Sequence, residues 1–335
     1  MSEKSLQNEA NHGLLALAKA LPGASGSLAL ERMQKKIAAA ATGSIPSYPG
    51  KQNGNSGWNS RMNEKQLLSY VRHGHYFVAG WLQPAAAQAA VLLSNEQRHA
   101  QVTGGVAEIG VHHGRFFIVL YLLGAPDEPA VAIDLFSHQE LNIDGSGAGN
   151  LERLKKNLSK YADTSRLVVH EGDSTKVTAA DLRRLGGGPL RLISIDGGHT
   201  AEITAHDLST AEGALGDGGI IILDDCFNEI WPGVPEGVNR YFATPRSIVP
   251  FSIGAGKTFF CHRGLAQQYA AALRAMKATA FERDFLGSPV VCLNVAPLTI
   301  AGRIAKTHAW QSVKDLPAGR AMRRYYDAMW LVLRG

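Results

Sequence analysis

The chain of 335 residues carries 34 Lys and Arg against 29 Asp and Glu, a formal net charge of +5. Hydrophobic residues make up 45% and charged residues 19%, which excludes a disordered chain and allows a sizeable core. The charge excess is local, because seven basic and two acidic residues from Arg303 onward account for all of it and everything before Ala301 is about neutral. A protein that tracks a polyanion spreads a basic face over its functional domain, so nucleic acid is disfavoured as a partner. No apolar run reaches the roughly 18 residues of a membrane span. The start, Met1-Ser2-Glu3-Lys4, lacks the apolar stretch of a secretory signal, and a cytoplasmic protein is expected. Cys226, Cys261 and Cys292 are odd in number and scattered, which fits neither a disulfide framework nor a thiolate zinc site.

In chain order, residues 13–40 have helical spacing interrupted at Pro22-Gly23, and Ala41 to Ser60 has the Gly, Ser, Asn and Pro content of a linker. A second helical region runs from Met62 to about Gln97. From Val106 the pattern changes to apolar runs alternating with helical stretches, which predicts a parallel sheet covered on both faces. The runs are Val106–Ile109, Val131–Ile133, Leu167–Val169, Leu190–Ile195 and Ile220–Leu223, and the helices are Phe116–Leu123, Asn150–Tyr161, Thr178–Leu185 and Ala201–Ala214. A helix near Pro235–Phe242 follows, then Ile248–Ile253 and Thr258–His262. Only four residues separate those two strands, so they must be antiparallel, since a parallel pair needs a crossover of a dozen or more residues. Beyond them, Leu265 to Met276 reads as helix and Val290–Val295 as a further β run.

The expected organisation is a helical extension or lid over residues 1–100, with a flexible linker near 41–60. A doubly wound core then spans 101–263, and a C-terminal extension spans 264–335. Within that extension Arg320 to Leu333 is expected to form a basic amphipathic helix, with Met322, Tyr325, Tyr326, Met329, Trp330 and Leu333 at helical spacings. Such a helix docks on its own core or a sister subunit, or lies on an anionic membrane surface. The docked form, in a homo-oligomer, is favoured.

In doubly wound sheets ligands bind outside the carboxyl ends of the strands. The first strand ends Glu108-Ile109-Gly110-Val111-His112-His113-Gly114-Arg115. It is not the dinucleotide fingerprint, which would need glycine where His112 and Arg115 stand. Glu108 would repel a pyrophosphate and attract a cationic amino group. This turn resembles motif I of the class I S-adenosylmethionine (SAM) methyltransferases, E/D-x-G-x-x-x-G. The resemblance implies a Rossmann-like sheet of order 3-2-1-4-5-7-6 with an antiparallel last strand, as the terminal hairpin suggests. It also implies cofactor contacts at Glu108, Gly110 and Gly114, at Asp134 for the ribose hydroxyls, and at Asp173 and Ser174 beside the adenine.

The fourth and fifth strands end Ile195-Asp196-Gly197-Gly198-His199 and Leu223-Asp224-Asp225. Three carboxylates on one rim repel unless a cation sits among them, and hard oxygen ligands suit Mg²⁺, Ca²⁺ or Mn²⁺. Helix capping is the alternative for any single Asp. The layout resembles the metal-dependent O-methyltransferases of catechols and of sugars and natural products, and specifically the bacterial branch labelled family 24, from Glu108 to about His262. That resemblance implies Asp196, Asp224 and Asp225 as metal ligands. It places His199 where catechol enzymes carry a lysine general base, with Asp196 beside it in the catalytic set. A histidine can accept a proton at neutral pH, although a structural His at a helix start fits the same residues. Gln139, Asn142, Ser146, His112 and Trp231 are weaker candidates for substrate or cofactor contacts.

The implied activity is metal-dependent O-methylation of a hydroxyl on a small molecule or sugar bearing vicinal oxygens, in natural-product or polysaccharide biosynthesis. A metal-independent methyltransferase on another acceptor, nucleic acid included, and a non-methylating or non-catalytic member of the fold remain as alternatives. The exocyclic-amine type is disfavoured, because the Asn/Asp-Pro-Pro-aromatic run of those enzymes is replaced by Asp196-Gly197-Gly198-His199.

Overall fold

The computed structural model of the chain describes residues 60–294, apart from 275, 277 and 278. The helix expected over 13–40, the linker up to residue 59 and the basic helix from Arg320 lie outside the described residues. Two helices come first, α1 (Ser60–Arg72) and α2 (Pro84–His99). The alternating part then runs β1 (Gly105–Ile109), α3 (Phe117–Leu123), β2 (Ala130–Asp134), α4 (Leu151–Leu158), β3 (Leu167–Glu171), α5 (Ala179–Leu185), β4 (Leu190–Ile195), α6 (Ala201–Ala214) and β5 (Leu215–Asp224). After it come α7 (Gly233–Tyr241), the hairpin β6 (Ile248–Gly254) and β7 (Lys257–His262), α8 (Ala266–Arg274), and a second hairpin, β8 (Thr279–Phe285) and β9 (Ser288–Asn294). Among the described residues no helix is long and apolar enough to cross a membrane.

The strands form one sheet of order β3-β2-β1-β4-β5-β7-β6-β9-β8. β1 to β5 pair in parallel, and β7 runs antiparallel to β5, so the expected order and reversed strand are present. The sheet does not stop at the first hairpin, because β9 adds in parallel to β6 and β8 closes the edge. The run at Val290 was legible from its apolar residues. Its partner, Thr279-Ala280-Phe281-Glu282-Arg283-Asp284-Phe285, alternates charged with apolar residues too loosely to stand out from a loop.

Alternation decides which face each side chain serves. Val106, Ala130, Ala132, Leu192 and Ile222 join the core under α1 to α4 and α8. Ala107, Val131, Ile133, Ile193 and Ile221 join the core under α5 to α7, so β1, β2, β4 and β5 are buried on both sides, as the inner strands of a parallel sheet require, while the edge strand β3 is only half-buried. Polar side chains set several helix starts. Asn150 accepts from Arg153 N, Thr200 from Ile203 N, and Thr178 forms a reciprocal capping box with Asp181, each satisfying an amide that the first turn leaves unpaired.

A buried polar network, absent from the expectations above, ties α2 to the opposite end of the sheet. The Arg191 guanidinium donates to Glu128, Ser94, Gln97 and the Leu123 carbonyl, while Gln97 donates to the carbonyls of Arg191 and Gly218. Glu128 also accepts the amides of Gly104 and Ala125. A buried charge is tolerated where it is paired and its remaining donors are satisfied, and here both conditions hold.

Candidate active site

The β1 turn is held so closely against β4 that a side chain cannot fit. A Cβ on Gly110 would lie 1.8 Å from the Asp196 carbonyl oxygen, and its φ is +82°. Gly114 follows at φ +89°. Glu108 is 1% exposed. Its Oε1 accepts from Ser194 Oγ at 3.1 Å, and its Oε2 is buried with no hydrogen-bond partner. Burial pushes this carboxyl well above the usual range, with the nearby Lys257 charge opposing. Asp134 ends β2 and ties two loops together, accepting from His112 N at 2.7 Å and Phe136 N at 2.9 Å. Burial raises its pKa, and these amides resist the rise. Asp173 accepts from the Thr175 amide and hydroxyl and so caps its own short turn, while Ser174 Oγ donates to the buried Asp207. The six residues Glu108, Gly110, Gly114, Asp134, Asp173 and Ser174 therefore stand at or just beyond the carboxyl ends of three neighbouring strands.

On the adjoining rim the structure brings Asp196, His199 and Asp225 together, one ligand atom from each lying within 4.8 Å of the others. His199 hangs between two carboxylates. Its Nδ1 is 2.8 Å from Asp144 Oδ2 and its Nε2 is 3.3 Å from Asp225 Oδ2. The same Asp144 oxygen accepts the His199 amide at 2.7 Å. Burial pulls the imidazole pKa down, but the bonds to Asp225 and Asp144 outweigh it and hold His199 above its usual value. Burial would raise Asp225 and Asp144, and their hydrogen bonds hold both below the usual carboxylate range. Trp231 stacks on the imidazole at 4.1 Å between centroids. Its loop can close this far because a Cβ on Gly233, two residues on, would lie 2.3 Å from the His199 carbonyl oxygen.

Asp224 is placed differently from its neighbour. Its Oδ1 accepts the Asp225 amide at 3.0 Å and its Oδ2 accepts from Lys257 Nζ at 2.5 Å. Asp225 has a φ of +59°, a conformation costing about 1–3 kcal/mol for a non-glycine residue and found where a site over-determines the backbone. That turn puts consecutive carboxylates on different partners.

The weaker candidates divide as well. Gln139 donates to the Phe136 carbonyl, and Asn142 donates to Gln139 and to the Ser146 carbonyl, so both fold their own loop. That folding delivers Asp144 to His199 and brings Ser146 Oγ to 3.2 Å from its Nδ1. His112 stacks on His113 and lies near Trp81. Asp144 and Lys257 are the two site residues that motif reading missed. Asp144 lies inside a polar loop whose closure cannot be read from spacing. Lys257 was open to inference from the hairpin, since β7 paired against β5 places it opposite Asp224.

The arrangement suits SAM, because Oε2 of Glu108 is a buried acceptor lacking a donor and a sulfonium amino acid brings an ammonium group. It suits a divalent cation also, since Asp196, His199 and Asp225 offer two hard oxygens and an imidazole nitrogen within one cluster. Chemically, the rim can hold and move a proton at His199 beside the carboxyl end of β1.

Residues 107–226 match the family model described as a methyltransferase domain, Methyltransf_24. No curated protein sequence matches the chain. Solved structures to which it is similar include the O-methyltransferase NovP, at 16% identity over 52% of this chain and 79% of that one, with a TM-score of 0.42. A putative O-methyltransferase from Klebsiella pneumoniae has 19% identity over 68% and 94%, with a TM-score of 0.40. Cofactor-bound Rv0187 from MTB has 15% identity over 68% and 96%, with a TM-score of 0.43. The strand order with its reversed β7 agrees with the family match, which identifies residues 107–226 as a methyltransferase domain of the family-24 type.

Proposed function

We propose that the protein transfers the SAM methyl group to a hydroxyl of a small molecule or sugar bearing vicinal oxygens, assisted by a divalent metal such as Mg²⁺ or Mn²⁺. The observation that carries this reading is His199, fixed by Asp144 and turned toward Asp196 and Asp225. A hydroxyl attacks a sulfonium methyl poorly until its proton has somewhere to go. His199 Nε2 takes that proton, the hydroxyl oxygen bonds to the methyl carbon, and the carbon–sulfur bond breaks with its electron pair returning to sulfur. Glu108 and Asp134 hold the amino and ribose groups of the donor, which leaves positioning as a main source of rate. Asp196 and Asp225 would hold a divalent cation, whose Lewis acidity would make the acceptor hydroxyl easier to deprotonate. Trp231, stacked beside His199, walls the acceptor side. A homo-oligomer acting in natural-product or polysaccharide biosynthesis belongs to the same proposal.

The test is methyl transfer from labelled SAM across a panel of catechols, glycosides and polyketide diols, with calorimetric SAM binding in parallel. Treatment with EDTA is expected to abolish turnover and spare SAM binding. Full turnover without metal overturns the metal assignment, and absence of SAM binding overturns the activity.

A further inference from the structure

Lys257 is 3% exposed, in the midst of the carboxylate cluster. Its ammonium is 2.5 Å from Asp224 Oδ2, 3.8 Å from Asp196 Oδ2 and 4.8 Å from the centre of the Phe116 ring. Cross-strand pairing of Lys257 with Asp224 fixes this position through the backbone. With the Asp225 amide on its other oxygen, Asp224 has a donor on each side. Asp225, turned away by its positive φ, faces His199 instead. The three acids that look equivalent along the chain are thus divided between a fixed internal cation and the open rim.

We propose that Lys257 withholds Asp224 from the metal, so that a divalent cation at this rim is held by Asp196 and Asp225 with His199 at its edge, and Asp224 serves as the counter-ion of Lys257. The inference rests on the metal-assisted reading above. Its physical basis is that a buried ammonium without a carboxylate is strongly destabilising, so Asp224 cannot exchange the ammonium for an ion without stranding Lys257. Repulsion between Lys257 and a second cation on Asp196 also makes the site weaker than three free aspartates would be.

Mn²⁺ alone is the probe, titrated into the full chain with free ion measured by electron paramagnetic resonance. Removing both members of the pair, in D224N/K257Q, is expected to keep Mn²⁺ affinity within about threefold of wild type, whereas D225N weakens it by at least about tenfold. A K257M variant leaves Asp224 free, and is expected to bind Mn²⁺ more tightly and to gain more thermal stability from it than wild type does. Loss of binding in D224N/K257Q equal to that in D225N overturns the assignment and leaves metal dependence standing, as does weaker binding in K257M. A wild-type protein that takes up no Mn²⁺ overturns both.

Discussion

Replacing Asp144 with alanine tests whether the histidine on the rim is a base or a packed side chain. Asp144 Oδ2 accepts from the His199 ring at 2.8 Å and from its amide at 2.7 Å, and the two side chains are each only 10% exposed. Hydrogen bonds to a charged group contribute about 1.5–3 kcal/mol, and burial this deep leaves little discount for solvent screening. If the ring bond is what aims Nε2, its loss lowers the methyl-transfer rate by about 10- to 100-fold, since each 1.36 kcal/mol is tenfold. The direction of a second effect is also set. Asp144 is among the groups holding the His199 pKa above its usual value, so the D144A rate limb moves to lower pH. The assay is a single-turnover pH profile with labelled SAM and an acceptor from the panel, with SAM affinity measured by calorimetry. An unchanged rate and pH limb would refute the reasoning, and a loss of SAM affinity matching the rate loss would assign Asp144 to loop structure instead.

In wild-type protein turnover is expected to rise with pH through a value above about 6.5, as His199 loses its proton. His199 is raised in the folded state, so metal-free protein has its full contribution below that unfolded value and loses it as pH rises through the folded one. Thermal melts against pH check this, and a flat profile contradicts it. The variant H199A is expected to lose about 10²- to 10⁴-fold in rate and the pH limb with it, while binding SAM normally; a retained limb assigns the titration elsewhere. The variant G110A forces a Cβ to 1.8 Å from the Asp196 carbonyl oxygen and is expected to abolish the calorimetric heat of SAM binding, so wild-type heat would place the cofactor elsewhere. Finally, E128A strands the Arg191 guanidinium, whose side chain is 2% exposed, at a cost of about 3–5 kcal/mol in urea unfolding. A change under about 1 kcal/mol would mean that solvent reaches the arginine.

Much of the fold was legible because its signals are local. Two-sided burial makes the inner parallel strands apolar runs such as Ile220–Leu223, and the capping residues Asn150, Thr178 and Thr200 mark helix starts within a residue. The short hairpin connection forced one reversed strand. The Thr279–Phe285 strand was not legible, because its position at the sheet edge lets polar residues alternate into it.

The site divides the same way. The sequence by itself determined which chemical groups stand at each strand end, because a strand followed by a tight turn must present its last residues at the rim. Glu108, Asp134, Asp196, Asp224, Asp225 and His199 were all found there. What only the tertiary structure decided is who pairs with whom. Hydrogen bonds and ion pairs act over a few ångströms between residues far apart in the chain. Asp144 reaches His199 across 55 residues through a folded loop, and Lys257 reaches Asp224 across 33 through an antiparallel register. Spacing therefore predicted a rim of three equal aspartates. Packing made them unequal by setting one against a lysine, one against a histidine, and one between the two.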